Sequence, residues 1–220
     1  MTGAAPGPSR PAGVGELLLG TAAAAACFAR TFRGPRPAFW ARMTQTGALL
    51  GAIALARRPE LRRARVRARH VLEGTAIAGA LYIVFQAGDR AARRIMPDGA
   101  RDIAAIYDLR CQESPARIAV RLATVIAPAE ELFWRGWLQR SLAQRSGRWT
   151  AAALAAAAYA GVHVASENPT LVGAAGVAGA YWSALAAAGV DMQSLVVSHL
   201  LWDIVIFLVV PTQPVDDARP

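Results

Sequence analysis

A few ionisable side chains interrupt otherwise apolar stretches of the sequence. They are Glu130, Glu131, Arg135, His163, His199 and Asp203. A charged group at the centre of a membrane helix costs about 2.5–3.5 kcal/mol on insertion scales, so a chain seldom keeps one without a use. These residues are therefore the first candidates for chemistry.

Spacing gives most of these candidates a partner on the same helix face, because residues four apart lie one above the other. The pairs are Glu131 with Arg135, Tyr159 with His163, and His199 with Asp203. We expect Asp203 to orient one nitrogen of His199 and to leave the other free. Glu130 has no such partner in its own helix, and an unpaired buried carboxylate suits a general base that activates water.

The depth of each candidate in the membrane follows from helix rise alone. At about 1.5 Å per residue, Glu130 lies roughly 13 Å, His199 roughly 12 Å and His163 roughly 21 Å from the cytoplasmic end of its segment. We therefore expect three helices to converge on one polar site near the middle of the membrane.

The elements that must position these residues are apolar segments. The chain has 220 residues, 55% of them hydrophobic, and a mean hydropathy of +0.30, which is more apolar surface than one small soluble core buries. The segments lie at about 16–29, 40–56, 71–88, 117–139, 149–165, 170–189 and 192–210. We predict an all-α fold, a polytopic transmembrane bundle of about six to seven helices. Segments 16–29 and 40–56 are short or carry polar residues, so whether both cross the membrane stays open.

We expect one membrane domain over residues 16–210. Residues 1–15 are rich in Pro, Gly and Ala and lack the apolar centre of a signal peptide, which predicts a disordered tail. Residues 211–220 would form a C-terminal tail.

The charge of the chain is +9, and all 24 basic residues are arginines. A dense group of them lies between positions 57 and 69, flanked by two apolar segments, which is typical of a cytoplasmic loop and not of a nucleic-acid binder. Such a loop favours anionic lipid headgroups, so the lipid bilayer is the expected partner. We expect His70 at the surface, and Trp134, Trp137 and Trp149 in an interfacial aromatic belt.

Three short motifs resemble the CAAX-protease and bacteriocin-processing (CPBP) family of intramembrane proteases, also called the Abi family. The first family motif, EExxxR, is similar to the run from Glu130 through Arg135, including the glycine that follows. The second, FxxxH, resembles Tyr159 to His163 with Tyr in place of Phe. The third, His followed four residues later by Asn or Asp, resembles His199 to Asp203.

The resemblance implies an intramembrane endopeptidase whose protease core is about 117–210. Glu130 would activate water, His163 would position it, and His199 with Asp203 would stabilise the oxyanion. Glu131 and Arg135 would form a structural ion pair, with Tyr159 in support. The resemblance leaves open a zinc mechanism, with Glu130, His163 and His199 as ligands, and a metal-free glutamate mechanism.

Other functions stay open beside this one. A non-catalytic membrane scaffold or bacteriocin-immunity protein would use the same fold, and a small transporter or proton relay would also place Glu, His and Asp in the membrane. As a protease, the protein would cleave a membrane-associated protein or peptide. The Ala- and Arg-rich, Lys-free composition indicates a GC-rich bacterial genome, hence an integral protein of the bacterial plasma membrane.

Overall fold

A computed structural model describes residues 12–63, 65–95 and 98–210, and within these ranges the chain is built of helices without strands. Eight helices follow one another. They are α1 Val14–Arg33, α2 Phe39–Arg57, α3 Ala68–Ile95, α4 Gly99–Tyr107, α5 115–146, α6 Arg148–His163, α7 Pro169–Ala188 and α8 Met192–Val209. The predicted all-α helix bundle is confirmed.

Three of the helices in the described ranges are long and apolar enough to cross a membrane: α3, α7 and α8. The outer face of α1 and of α3 carries large apolar side chains in the open, such as Leu19 at 74% exposure and Leu72 at 74%. Apolar side chains in such numbers on the outside of a helix bundle match a lipid environment. The fold is that of a membrane protein.

Every predicted apolar segment corresponds to a helix, but the segment ends differ in places. Helix α1 begins at Val14, inside the predicted tail 1–15, while residues 1–11 and 211–220 of the two predicted tails lie outside the described residues. Helix α4 lies between the predicted segments 71–88 and 117–139, where no helix was predicted. It forms because its sequence is amphipathic: Ile103 is buried, whereas Arg101 faces outward.

Helix α5 is the structural centre, and its backbone is irregular around the paired glutamates. A short α-helical stretch, Ala127–Glu131, is bracketed by wider π-type turns at Leu122–Ile126 and Leu132–Gln139. Pro128 lies between them, and since it has no N–H it cannot bond to the carbonyl four residues earlier. Turns of the π type often occur at functional sites, and α8 also ends in one, Val205–Val209.

Two of the tryptophans expected in an interfacial belt are core residues instead. Trp134 and Trp137 are 0% and 1% exposed. Trp137 lies against Gly20 of α1, where a Cβ atom would collide with the indole ring. Only a glycine lets α1 approach this closely, and the close approach encloses both rings. Trp149, at 54% exposure, lies at the surface as expected.

The expectation for His70 was also wrong, because this side chain is only 3% exposed. Its Nδ1 accepts the backbone N–H of Arg67 at 3.1 Å, and its Nε2 lies 3.5 Å from Asp191 at the start of α8. The imidazole is therefore enclosed where α3 begins.

Candidate active site

A cavity of about 470 Å³ lies among the helices, and most of its wall is apolar. The polar side chains that line it include all those predicted to be catalytic, together with Tyr159: they are Glu130, Tyr159, His163, His199 and Asp203. Helices α5, α6 and α8 supply these residues, while α1, α2, α3, α4 and α7 complete the wall. Glu131 and Arg135 do not border the cavity.

Glu130 is a buried carboxylate with spare bonding capacity. It is 3% exposed, and its Oε2 has no hydrogen-bond partner among the described residues. The Tyr159 hydroxyl lies beside the carboxyl group, so this ring reaches the site and does more than fill the bundle. A buried carboxylate oxygen that faces a cavity without a partner is free to take a proton from a bound water.

Glu131, the next residue along α5, accepts hydrogen bonds from two side chains. Its Oε1 accepts a hydrogen bond from Arg135 Nη1 at 2.9 Å and from His199 Nδ1 at 2.8 Å. The expected partner of that imidazole was Asp203, but Asp203 Oδ2 lies 3.7 Å from His199 Nε2, beyond hydrogen-bond distance. Glu131 therefore orients His199, and Nε2 is left pointing to the cavity side near Asp203.

Arg135 holds this arrangement together from inside the bundle. Its second guanidinium nitrogen donates to the carbonyl oxygen of Gly179 at 3.0 Å. The guanidinium lies 5.0 Å from the centroid of the Tyr159 ring and 5.5 Å from that of Trp182. The expected Glu131–Arg135 ion pair is thus present, and both of its side chains are 0% exposed.

Trp182 of α7 is a site residue that the sequence reasoning missed. Its ring stacks on the His199 imidazole with centroids 4.1 Å apart and planes 22° apart. The indole N–H donates to Ser198 Oγ at 3.1 Å, which fixes the rotation of the ring. The available signal was its position: Trp182 lies in the middle of a predicted span, away from the interfaces where membrane tryptophans gather.

His163 is the last residue of α6. One of its ring nitrogens is hydrogen-bonded, and the other keeps a lone pair. Its Nδ1 lies 2.7 Å from the carbonyl oxygen of Tyr159, and since a carbonyl only accepts, Nδ1 carries the proton. Nε2 of the neutral ring is then left with its lone pair. Phe28 and Phe32 of α1 lie against the imidazole, with ring centroids 5.0 Å and 5.6 Å away, and shield it from water on that side.

The set proposed for zinc, Glu130, His163 and His199, borders one cavity but does not form a ligand cluster. In the part of the chain that the structure describes, no group of three His, Cys, Asp or Glu side chains could hold a metal ion. The Nδ1 atoms of both histidines are already bonded to oxygen acceptors. As folded, these three side chains do not form the ligand set of a catalytic zinc site.

Part of the chain matches a known protein family. The model of the family described as type II CAAX prenyl endopeptidase Rce1-like matches residues 112–205. No curated protein and no solved structure matches the chain. The matched stretch begins just before α5 and ends in α8, so it contains all three motifs. The resemblance read from those motifs is therefore confirmed, and residues 112–205 are similar to the CAAX proteases of the CPBP family.

Proposed function

We propose that this protein is an intramembrane endopeptidase of the CPBP type, in which Glu130 activates water for attack on a peptide bond. The observation that carries the proposal is the unpartnered oxygen of Glu130, buried beside a cavity that His163, His199 and Asp203 also line. Chemistry-bearing side chains from three helices share this cavity within the region that matches a protease family.

The first step is the attack of water on the substrate carbonyl carbon. A water molecule is held between Glu130 Oε2 and His163 Nε2. As the water oxygen forms the new C–O bond, the water gives one proton to the Glu130 carboxylate. The carbonyl π electrons move to oxygen and produce a tetrahedral oxyanion. Peptide hydrolysis needs donors at that oxygen, and polarising donors of this kind contribute about a hundredfold to a thousandfold in rate in other enzymes.

His199 and Asp203 are the candidates for that donor role. A His199 ring protonated on both nitrogens donates from Nδ1 to Glu131 and from Nε2 toward the cavity, and a protonated Asp203 carboxyl donates as well. In the second step, the proton held by Glu130 passes to the leaving nitrogen as the C–N bond breaks. The products are a carboxylic acid and an amine, and Glu130 returns to its carboxylate form.

The wall of the cavity supports a substrate that is itself membrane-associated. Aromatic and aliphatic side chains form most of the lining, with Trp40, Phe85 and Ile103 among them. An apolar stretch of a protein or peptide suits such a wall better than a soluble polar chain does. The partners are therefore a membrane-associated substrate and the surrounding bilayer.

The experiment compares the wild type with Glu130→Gln, purified in the same detergent, on a set of membrane-inserted peptides, with products identified by mass spectrometry. We expect the substitution to reduce cleavage by about 10²–10⁴-fold, the usual contribution of a positioned general base. Glu16→Gln is the matched control, because that carboxylate pairs with Arg57 far from the cavity.

Cleavage by Glu130→Gln at the wild-type rate would contradict the proposal and favour the alternative, a non-catalytic scaffold or immunity protein with the same fold. A parallel cleavage assay with a chelator tests whether the activity depends on a metal. Loss of activity on chelation with recovery on added zinc would indicate a metalloprotease, whereas unchanged activity would indicate the metal-free glutamate mechanism.

A further inference from the structure

A second, smaller cavity lies at the arginine-rich end of the bundle, and Arg135 borders it without bordering the large cavity. Its volume is about 100 Å³, and it is formed where α5, α6, α7 and the start of α8 meet. Small side chains leave the space, namely Ala143, Ala186 and Ala187. Nothing in the proposed peptide hydrolysis uses this cavity.

The charged side chains that line the second cavity are all cationic. They are Arg135, Arg140 and Arg148. Neither Arg140 nor Arg148 forms an ion pair with a residue that the structure describes. Glu60, a carboxylate whose charge acts on Arg140, also pairs with Arg58 at 3.7 Å and is 47% exposed. The cavity therefore carries an excess of positive charge.

The surroundings add to this excess. The guanidinium of Arg148 lies 5.4 Å from the centroid of the Trp149 ring. The N-termini of α6 and α8 both lie at the cavity and contribute the positive ends of their dipoles. Asp191, the acidic residue just before α8, is already bound to Arg69 at 3.0 Å.

The floor of the cavity offers one donor and one acceptor that lack partners within the described ranges. The donor is Nε of Arg135, which is 1% exposed, and the acceptor is Oε1 of Gln139, which is 4% exposed. A buried guanidinium N–H without a partner is costly unless an anion or water meets it. On another side the wall is apolar, formed by Val190, Met192 and Leu195.

We propose that this cavity binds a phosphate group, either the headgroup of an anionic phospholipid such as phosphatidylglycerol or free phosphate. Arginines match phosphate oxygens through paired N–H donors, and basic pockets between membrane helices on the cytoplasmic side bind anionic headgroups. The unpartnered oxygen of Gln139 suits a headgroup hydroxyl, and the apolar wall suits the start of an acyl chain. The site is independent of the proposed protease activity.

The test measures thermal unfolding of the full chain in detergent by tryptophan fluorescence, with no substrate present. Four additions are compared at matched ionic strength: none, inorganic phosphate, phosphatidylcholine and phosphatidylglycerol. The double variant Arg140→Gln/Arg148→Gln removes the cavity charges. The control Arg62→Gln/Arg65→Gln removes the same net charge from the neighbouring loop, whose side chains do not line the cavity.

We expect phosphatidylglycerol, at about a hundredfold excess over its dissociation constant, to raise the unfolding midpoint of the wild type and the loop control by about 5 °C. The cavity variant should lose most of this shift, and Arg140→Lys/Arg148→Lys should keep part of it. A shift with phosphate as well would identify the phosphate group alone as sufficient; a shift with the lipid only would identify the headgroup as the ligand. Equal shifts in the cavity variant and the control, or no shift in the wild type, would overturn the proposal.

Discussion

The two sides of α5 at the glutamate pair differ in almost every physical respect. On the cavity side, Glu130 faces a largely apolar space, and its Oε2 has no partner within the described ranges. On the network side, defined by Glu131, Arg135 and Trp182, the adjacent glutamate is bonded to a guanidinium and an imidazole. The two adjacent glutamates thus have opposite surroundings. Burial alone therefore does not assign a role to a carboxylate. Glu130 is left available for chemistry, whereas Glu131 holds the groups around it.

The largest effect on stability should come from breaking the network side. Arg135→Met removes one partner of a fully buried ion pair and leaves Glu131 with an uncompensated charge, which costs about 3–5 kcal/mol in free energy of unfolding. Denaturant titration in mixed micelles, followed by tryptophan fluorescence, would measure the loss.

Arg121→Met on the same helix is the matched control, because Arg121 binds Glu113 at 2.8 Å but is 29% exposed. Partly exposed pairs contribute about 1 kcal/mol or less. If both substitutions cost the same free energy, the contrast between a buried network and ordinary ion pairs would be lost.

A smaller effect, on catalysis, is expected when the Trp182 ring that stacks on His199 is removed. Trp182→Leu abolishes the stack on the imidazole, and aromatic pairs of this kind contribute about 0.5–1.5 kcal/mol, so kcat should fall roughly three- to tenfold with KM little changed. Trp182→Phe keeps an aromatic face and should recover most of the rate, although it loses the bond to Ser198. Steady-state kinetics on a cleaved peptide would check this, and equal rates for Leu and Phe would show that Trp182 only fills space.

The smallest effect, on KM, is expected when a bulky side chain narrows the large cavity far from the reacting groups. Ala92 of α3 lines the large cavity, and Ala92→Phe would occupy space that the substrate needs. We expect KM to rise several-fold, for a loss of about 1 kcal/mol of binding, while kcat stays near the wild-type value. Ala80→Phe on the exposed part of the same helix is the control and should leave both constants unchanged. A fall in kcat alone would argue against the cavity as the substrate site.

The sequence predicted the helices and the residues that meet at the cavity, for clear physical reasons. An apolar run long enough for a helix is visible without a structure, and a charge such as Glu130 or Asp203 inside such a run is expensive and therefore conspicuous. The period of the helix was also enough to pair Glu131 with Arg135, because that contact lies within one turn.

Contacts between distant parts of the chain could not be predicted in this way. Glu131 and His199 are 68 positions apart, and their bond displaced the local pair expected with Asp203. The stack of Trp182 on His199 likewise depends on how α7 packs against α8. Helix α4 was missed because its nine residues are amphipathic and carry charges, so no apolar run marked it.

The most direct test of the account compares the stability of Glu130→Gln with that of Glu131→Gln, measured as thermal unfolding midpoints in one detergent. Both substitutions remove the same charge from neighbouring buried positions. We predict that Glu130→Gln unfolds at or above the wild-type midpoint, because burial of this charge costs more free energy than the contact with the Tyr159 hydroxyl returns, and Oε2 has no partner among the described residues. Glu131→Gln should unfold about 10 °C lower, because it leaves Arg135 buried without its counter-charge. Equal losses in the two variants, or a loss confined to Glu130→Gln, would contradict the division of roles between the two glutamates.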